Sequence, residues 1–345
     1  MKAIVFREHG GPEVLRYEEV PTPEPGPGEV LVALRAAALN HLDLFVRAGI
    51  PGVKLPHVPG ADGAGVVAAN GPGASKYPAG TRVFFDPGIS DGTCRYCNRG
   101  EHSLCESWQL LGETATQGTY AQAVAVPEVN CRQVPERLSF EEAAAFPLVF
   151  ITAWRMLVSK AMVRPGETVL ILGVGGGVAT AALQIAKRAG ATVFVTSGSD
   201  DKLKRAKELG ADVTINHRTA DFSKEVWSIT KKTGVDIVVD NVGEATWDRS
   251  IRALARGGRL VTCGATSGPN PKEEIRRIFA KQVTIYGSTM GTRNDWEQVS
   301  TLLNAGELRP VVDRTFPLEQ AARAQELMAK AEQFGKIVLQ VPPLT

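Results

Sequence analysis

The sequence has little of what marks a nucleic-acid-binding, membrane-surface or disordered protein. It contains no long block of like charges, and 39 Lys and Arg residues stand against 37 Asp and Glu residues, for a net charge of +2. A charge so close to zero gives no support to binding of nucleic acid or of an anionic membrane surface. Because 43% of the residues are hydrophobic and 22% are charged, we expect a globular chain with a substantial core.

Long apolar segments are missing as well. The N-terminus reaches Arg7 and Glu8 before any stretch long enough for the core of a signal peptide. The longest uncharged stretch, between Glu167 and Lys187, is broken by a cluster of glycines and does not fit a membrane span of roughly 20 apolar residues. We therefore expect a cytoplasmic protein with no membrane segment, in which disulfides are not expected.

Two patterns of secondary structure divide the 345 residues. Up to about residue 150, short β-type runs alternate with turns rich in Pro and Gly, which predicts an antiparallel barrel or sandwich. From about residue 151, strands alternate with helices, which predicts an α/β domain with a parallel, doubly wound sheet. The elements beyond about residue 290 are too few for a domain of their own. We expect residues 1–150 and 291–345 to form one β-rich domain, into which the α/β domain of residues 151–290 is inserted.

A glycine-rich turn joins the first strand of the inserted domain, predicted at 168–172, to its first helix. Such a turn lets backbone N–H groups approach a pyrophosphate, whose negative charge is favoured at a helix N-terminus. A tight turn is the simpler reading, but the β/α alternation that follows favours a dinucleotide site. The predicted cofactor-binding residues of the turn are Gly173, Gly175, Gly176, Gly177 and Val178.

The end of the second strand of the inserted domain bears on the choice of cofactor. An NAD site normally has Asp or Glu there to bind the ribose 2′-OH, whereas this strand ends in Ser197 and Gly198. The missing carboxylate removes a charge that would repel a 2′-phosphate, and Lys202 and Arg218 can supply cations. The alternative for Lys202 is a solvated residue in the first turn of a helix. We predict NADP(H), bound in part by Ser197, Lys202 and Arg218.

Three of the five cysteines lie within one short segment. Cys94 and Cys97 form a Cys-x-x-Cys turn, Cys105 follows after a short loop, and Asp91 precedes Cys94 by three residues. Tetrahedral zinc needs four ligands, and a carboxylate is a permitted one. The alternatives are buried thiols without metal, or a redox-active pair. We predict one structural zinc ion held by these four residues.

Together these features resemble the medium-chain dehydrogenase/reductase superfamily. Further motifs shared with it are PGADGAG at 59–65, PLVFITAW at 147–154, DNVG at 240–243 and FGKIVL at 334–339. The resemblance covers essentially the whole chain. It implies a GroES-like catalytic domain with a zinc-binding lobe at about 86–106, an inserted Rossmann domain, a small-molecule substrate, and a homodimer or homotetramer.

The same resemblance indicates that the catalytic zinc is lost. In zinc alcohol dehydrogenases this metal is held by Cys, His and a second Cys, and these positions fall here on Asn40, Ala61 and near Leu148, with Asp62 at the position of a neighbouring Glu. An amide, a methyl group and an isobutyl group do not make a zinc site.

The motif NxxDxxxRxG of the quinone oxidoreductase branch is present as Asn40, Asp43, Arg47 and Gly49. This branch implies reduction of quinones and related conjugated carbonyls by NADPH.

The predicted reaction is hydride transfer from NADPH to a quinone, an enone or another carbonyl. For catalysis the resemblance points to Asn40 and His41 as hydrogen-bond donors, Asp43 as an orienting carboxylate, and Thr152 beside the nicotinamide. It also places Lys336 at the cofactor phosphates. Each has a simpler structural reading, such as a backbone contact for Asn40 or a helix cap for Thr152.

Two other functions stay open at this stage. One is a zinc-dependent alcohol dehydrogenase with unusual ligands such as His57, Asp62 and Asp43. The other is a protein that binds NADPH with little turnover.

Overall fold

A computed structural model of the chain describes residues 1–115 and 117–344. The chain divides into two compact units, which are described separately. Unit 1 consists of Met1–Val149 together with the chain from Thr292 onward, and unit 2 consists of Phe150–Gly291. None of the helices in the described ranges is long and apolar enough to cross a membrane.

Strands dominate the first part of unit 1. They are β1 (Lys2–Val5), β2 (Arg16–Glu19), β3 (Glu29–Ala38), β4 (Asp62–Asn70), β5 (Arg82–Phe85), β6 (Gly88–Ile89), β7 (Gln109–Leu110), β8 (Ala123–Pro127) and β9 (Cys131–Gln133). The helices are α1 (His41–Ala48), α2 (Phe140–Ala144) and α3 (Pro147–Trp154), of which α3 runs on into unit 2 and continues as a π-helix over Arg155–Lys160. Short 3-10 turns lie at Pro12–Val14, Cys97–Arg99, His102–Leu104 and Glu128–Asn130.

Unit 2 alternates strands and helices. Its elements are β10 (Thr168–Ile171), α4 (Gly177–Arg188), β11 (Thr192–Ser197), α5 (Asp200–Glu208), β12 (Val213–Asn216), α6 (Phe222–Ile229), β13 (Val235–Val239), α7 (Trp247–Ala253), β14 (Leu254–Thr262), α8 (Ile275–Lys281) and β15 (Thr284–Gly287). The chain then returns to unit 1 as α9 (Arg293–Asn304), β16 (Val312–Pro317), a 3-10 turn at Leu318–Gln320, α10 (Ala321–Ala329) and β17 (Lys336–Gln340).

The sheet of unit 2 is the predicted doubly wound one. Its strands run in the order β12-β11-β10-β13-β14-β15 and every neighbouring pair is parallel. The strand order reverses direction at β10, which is where sheets of this kind bind nucleotides, outside the carboxyl ends of the strands. The α/β fold class is therefore confirmed. The apolar runs that made the strands predictable are buried, with Val169, Leu170 and Ile171 fully enclosed.

The main sheet of unit 1 joins both ends of the chain. Within the described ranges its order is β16-β17-β3-β4-β5-β9, with β8 also paired to β3. Most pairs are antiparallel, as the turn-rich sequence predicted, but β16 and β17 pair in parallel. Strand β17 lies antiparallel to β3, with Val338 opposite Ala38, and β4 lies on the other side of β3, with Asp62 opposite Ala38. The start of β4, the end of β3 and the start of β17 thus meet at one place.

Aromatic side chains fill the space between this sheet and its helices. The ring of Phe84 packs edge-on against Phe146 and against Trp296, with centroid distances of 5.9 and 5.4 Å. Trp296 is almost fully buried, and its indole N–H donates to the carbonyl oxygen of Asn130 at 2.9 Å. Because a buried indole N–H needs an acceptor, this bond ties α9 to the loop before β9.

Candidate active site and metal site

A buried ammonium group lies where β3, β4 and β17 meet. The Nζ atom of Lys336 donates to Asn40 Oδ1 at 2.5 Å and to Asp62 Oδ2 at 2.9 Å. Lys336 is 4% exposed and Asp62 is fully buried. A buried charge is tolerated only when it is paired and its remaining hydrogen-bonding atoms are satisfied. Asp62 supplies the opposite charge, and together with Asn40 it accepts two of the three ammonium hydrogens.

Both carboxylate oxygens of Asp62 accept hydrogen bonds from the protein. Its Oδ1 atom accepts the backbone N–H of Leu148 at 2.8 Å, and its Oδ2 atom accepts the Nδ2–H of Asn40 at 2.9 Å besides the ammonium of Lys336. Both oxygens are therefore occupied by protein donors. A metal cation at this carboxylate would lie close to the positive charge of Lys336, which would repel it.

Both the oxygen and the nitrogen of the Asn40 side-chain amide form hydrogen bonds within the protein. Its oxygen accepts from Lys336 and its nitrogen donates to Asp62, with a longer contact of 3.5 Å to the carbonyl oxygen of Ala38. We expected this amide to donate to a substrate, whereas its donors here serve the protein. The structure favours a positioning role, in which Asn40 fixes the start of α1.

Asp43 orients Asn40 from the other side. Its Oδ2 atom accepts the backbone N–H of Asn40 at 2.8 Å and the hydroxyl of Tyr120 at 2.7 Å. Burial raises the pKa of Asp43 to about 6, against the lowering effect of the Asn40 N–H bond. Arg47 of the same motif forms no ion pair with Asp43 in the part of the chain described, and the side-chain partner of Asp43 is Tyr120. These contacts agree with an orienting carboxylate.

His41 is the first residue of α1, directly after Asn40. Burial, followed by the positive charge of Lys336, lowers the pKa of His41. The imidazole is therefore neutral near pH 7, with one N–H available as a donor.

The resemblance led us to expect Lys336 beside the cofactor phosphates, whereas the structure places its ammonium against Asn40 and Asp62. Two of the three ammonium hydrogens are used in these bonds. One N–H remains for a further acceptor, so a phosphate contact stays a prediction.

Thr152 belongs to unit 2 and lies in α3. Its side chain is 4% exposed, and its hydroxyl contacts Met290 Sδ at 3.8 Å. A sulfur atom is a weak acceptor, so this hydroxyl has no strong partner of its own in the described residues.

The glycine-rich turn of unit 2 has the form predicted for a phosphate site. Gly173 and Gly175 have φ angles of 66° and 126°, which side chains rarely adopt. Helix α4 begins at Gly177, and its first backbone bond runs from Thr180 N–H to Gly176 O at 3.0 Å. The preceding N–H groups of Gly177 and Val178 therefore point out of the helix end, as anion binding requires.

The guanidinium of Arg218, which follows β12, lies beside Gly198 at the end of β11. A Cβ atom added to Gly198 would lie 2.8 Å from Arg218 Nε, so the guanidinium lies directly over this glycine. No carboxylate pairs with Arg218 among residues 1–115 and 117–344. Ser197 is 5% exposed and its hydroxyl accepts the N–H of Ser199 at 3.3 Å. Lys202 lies in the first turn of α5, where its backbone N–H donates to the hydroxyl of the N-cap Ser199.

The predicted metal ligands come together in unit 1. One ligand atom from each of Asp91, Cys94, Cys97 and Cys105 lies within 4.8 Å of the others. The backbone places them: Asn98 N–H bonds to Cys94 O at 3.0 Å, which closes the Cys-x-x-Cys turn. Three thiols and a carboxylate form a donor set suited to tetrahedral zinc.

The electrostatics of this cluster also fit a cation. The N–H groups of Cys94 and Thr93 donate to Asp91 Oδ1 at 2.9 and 2.7 Å and hold the pKa of Asp91 well below its usual range. Desolvation and the two neighbouring thiols raise the pKa of Cys97 to about 11. Cys97 is therefore a neutral thiol near pH 7 without a metal, and a bound cation would favour its thiolate form. The thiols of Cys105 and Cys97 also hydrogen-bond to the Asp91 carboxylate, and a bound metal ion would replace their protons. The residues therefore fit a metal ion.

The other candidate ligands do not assemble. Within the described part of the chain, His57, Asp62 and Asp43 belong to no group of three or more His, Cys, Asp or Glu side chains close enough to hold a metal. The ring of His57 packs on Phe6 with a centroid distance of 5.3 Å, and its Nδ1 atom contacts the carbonyl oxygen of Lys54. A catalytic zinc on these residues gains no support.

Comparison with known proteins defines the class. The profile of the zinc-binding dehydrogenase family matches residues 177–305, and that of the alcohol dehydrogenase GroES-like domain matches residues 26–136. These are the two domains of a zinc-type dehydrogenase.

Relatives that align over nearly their whole length support the same classification. The chain is 36% identical to a zinc-type alcohol dehydrogenase-like protein of Schizosaccharomyces pombe, with 99% of each chain covered. It is 30% identical to the quinone oxidoreductase of Homo sapiens, covering 98% of this chain and 97% of the relative. A solved structure of an NAD-dependent alcohol dehydrogenase has a TM-score of 0.96 and 49% identity, covering 99% of this chain and 100% of the other. The chain therefore belongs to the medium-chain dehydrogenase/reductase superfamily of oxidoreductases.

Sequence reasoning missed two partners at the candidate active site. Tyr120 donates to Asp43, and Lys336 contacts Asn40 and Asp62, although these pairs are 77, 296 and 274 positions apart. Only the register of the sheet brings them together. The one signal in the sequence was a lysine at the start of an otherwise apolar strand.

We expect Lys336→Met to lower the free energy of unfolding by about 3–5 kcal/mol, because it leaves the buried Asp62 charge unpaired. The matched control is Lys187→Met, which removes a partly exposed ion pair with Asp212 at 2.8 Å and is expected to cost at most about 1 kcal/mol. Urea denaturation measures both. Equal losses in the two variants would contradict the role given to the buried pair.

Proposed function

We propose that the protein is an NADPH-dependent reductase that transfers hydride to a quinone, an enone or another carbonyl without a catalytic metal. The observation that carries this proposal is the ammonium of Lys336, which donates to Asp62 and Asn40, while Asp62 also accepts hydrogen bonds from Leu148 and Asn40. The resemblance aligns Asp62 and Asn40 with residues at the catalytic zinc of alcohol dehydrogenases. An ammonium group lies against both of them here.

Bound NADPH would supply the hydride, and the residues of the chain would hold and polarise the reactants. The N–H groups of Gly177 and Val178 bind the pyrophosphate at the start of α4. Lys336 uses its remaining N–H for a cofactor phosphate oxygen. Thr152 lies beside the nicotinamide, as the resemblance implies.

The acceptor oxygen gains negative charge as hydride arrives, and a donor there lowers the barrier. His41 is the candidate donor, since its imidazole is neutral and it lies at the start of α1. The Asn40 and Asp43 contacts fix that helix end, and with it the direction from which His41 approaches. This role replaces the direct donation first expected of Asn40.

The decisive experiment measures oxidation of NADPH and NADH by the wild-type protein with a quinone, an enone and an aldehyde as acceptors. We expect turnover with at least one acceptor and a higher kcat/KM with NADPH. Tight NADPH binding without turnover would favour the binding-protein alternative. Chelator-sensitive oxidation of an alcohol would favour the zinc alcohol dehydrogenase alternative instead.

The preference for NADPH is attributed to Arg218 over Gly198, with Lys202 and Ser197 nearby in the sequence. The similar solved structure is that of an NAD-dependent enzyme, so this point needs its own test. We expect Arg218→Ala to raise the KM for NADPH at least 10-fold, because a 2′-phosphate loses its cation, and to leave the KM for NADH within about 2-fold. The control Lys204→Ala, an exposed lysine of α5, should change neither. Equal effects on both cofactors would contradict the assignment.

We propose that the cluster of Asp91, Cys94, Cys97 and Cys105 holds one structural zinc ion. We expect Asp91→Ala to weaken zinc retention during dialysis against a chelator and to lower the Tm, while kcat at saturating zinc stays near the wild-type value. The control is Glu106→Ala, an exposed lobe residue paired with Arg95. Loss of catalysis in Asp91→Ala with fold and cofactor binding intact would show that the lobe is misassigned.

We propose that the protein assembles as a homodimer or a homotetramer. Strand β15 is an edge of the unit 2 sheet, and it exposes Ile285, while the adjacent α8 exposes Ile275 and Phe279. Exposed apolar side chains beside an open strand edge favour association.

A further inference from the structure

A third buried carboxyl group lies close to Asp62 and has no part in the mechanism above. Asp86 directly follows β5 and is 6% exposed. Its Oδ1 atom accepts the N–H of Gly88 at 3.0 Å. Its other oxygen accepts no hydrogen bond from any residue in the ranges 1–115 and 117–344. Asp86 is therefore buried, yet half of its carboxyl group is unused.

The register of the sheet places Asp86 opposite Asp62. Ala64 pairs with Phe84 and Gly65 with Val83 in the antiparallel ladder of β4 and β5. Continuing that ladder by two residues sets Asp62 against Asp86, on the same face as Ala64 and Phe84. Side chains directly opposite each other lie about 5 Å apart at Cβ. Two carboxyl groups thus share one face, and Lys336 and Asn40 are bound to one of them only.

The backbone of Asp86 is held rigidly by Asn130. The N–H of Asp86 donates to Asn130 O at 3.1 Å, and the Nδ2 atom of Asn130 donates to the carbonyl oxygens of Asp86 and Gly88 at 2.9 and 2.7 Å. Asn130 is in turn bound by Trp296. These bonds, with the Gly88 N–H on Oδ1, restrict the movement of the Asp86 side chain and leave its other oxygen as the one available for proton transfer.

Burial of Asp86 favours its protonated form, while the charges that face it act in both directions. Asp62 on β4 is negative, while Arg132 on β9 and Arg293 on α9 are positive. Arg132 is already paired with Glu297 at 2.5 Å. Burial, with Asp62 adding to it, outweighs the two arginines and raises the pKa of Asp86 to about 7. Near neutral pH the group can both hold and release a proton.

We propose that Asp86 donates the proton consumed in the reduction, a role that rests on the proposed function. Hydride from the cofactor adds to the acceptor carbon, and the electron pair of the reduced double bond moves onto the acceptor as an enolate or alkoxide. The O–H bond of Asp86 breaks, its proton forms a new C–H or O–H bond on the acceptor, and a carboxylate remains. A proton from solvent then reprotonates Asp86. The reaction therefore consumes one NADPH, one acceptor and one proton from solvent.

The test compares wild type with Asp86→Asn, which keeps the side-chain shape and the acceptor for Gly88 but cannot carry the proton. We expect kcat to fall about 100-fold with the KM for NADPH unchanged, in line with the usual contribution of general acid catalysis. In wild type, kcat should fall as pH rises through about 7, which forms the alkaline limb of its pH profile. The pH profile of the variant should lack this limb. The control Asp236→Asn changes a carboxylate in unit 2 bound by Thr168 and should behave like wild type.

A second readout is independent of turnover. Because the folded-state pKa of Asp86 lies above the value of an unfolded aspartate, its contribution to stability is present at low pH and is lost as pH rises toward 7. The amide of Asp86→Asn does not titrate, so the drop in Tm between pH 5 and pH 8 should be smaller in this variant than in wild type.

The outcomes separate the two proposals. A wild type that turns over while Asp86→Asn keeps its kcat and its pH limb would overturn the role of Asp86 alone. A wild type with no turnover on any acceptor would overturn the reductase proposal and this role together. A folded variant with lowered kcat but an unchanged pH limb would show that Asp86 only shapes the turn at Gly88.

Discussion

The ammonium of Lys336 is the constraint on which the GroES-like unit depends. A buried cation is costly unless every one of its contacts is matched, and here it is matched by Asp62 and Asn40 from two other strand ends. Those contacts require β17, the last strand, to lie beside β3 with β4 on its far side. The Lys336 charge thereby holds the last strand of the chain next to β3 and β4, where the proposed active site lies.

The candidate metal ligands and the candidate catalytic residues form two separate clusters of side chains. The three thiols and one carboxylate that suit zinc lie together in the lobe of residues 86–106, where we propose a structural role for them. Around Asp62 the donors are an amide, an ammonium group and a backbone N–H. Such a site can position and polarise a small acceptor and can hold a proton on a buried carboxyl group, while the positive charge of Lys336 opposes the binding of a metal ion beside Asp62.

Sequence reasoning succeeded where the decisive contacts are local. The glycine turn after β10 and the Asp91 to Cys105 cluster span few residues, so spacing alone predicts their geometry, and the β/α alternation predicts the parallel sheet. It fell short where contacts depend on register. The bond between Asn40 and Lys336 joins residues 296 positions apart, and Asp86 comes near Asp62 only through the pairing of β4 with β5. A local motif carries no information about either, and for that reason Asn40 was first given a substrate contact in place of a positioning role.

The most direct test of the central claim is the number of zinc ions per chain in the purified wild-type protein, measured by elemental analysis after exhaustive dialysis. If Lys336 occupies the acceptors of Asp62 and only the lobe binds metal, the result will be close to one zinc ion per chain. A value close to two would mean that a metal displaces the ammonium group at Asp62, and it would contradict the account of a reductase without catalytic zinc.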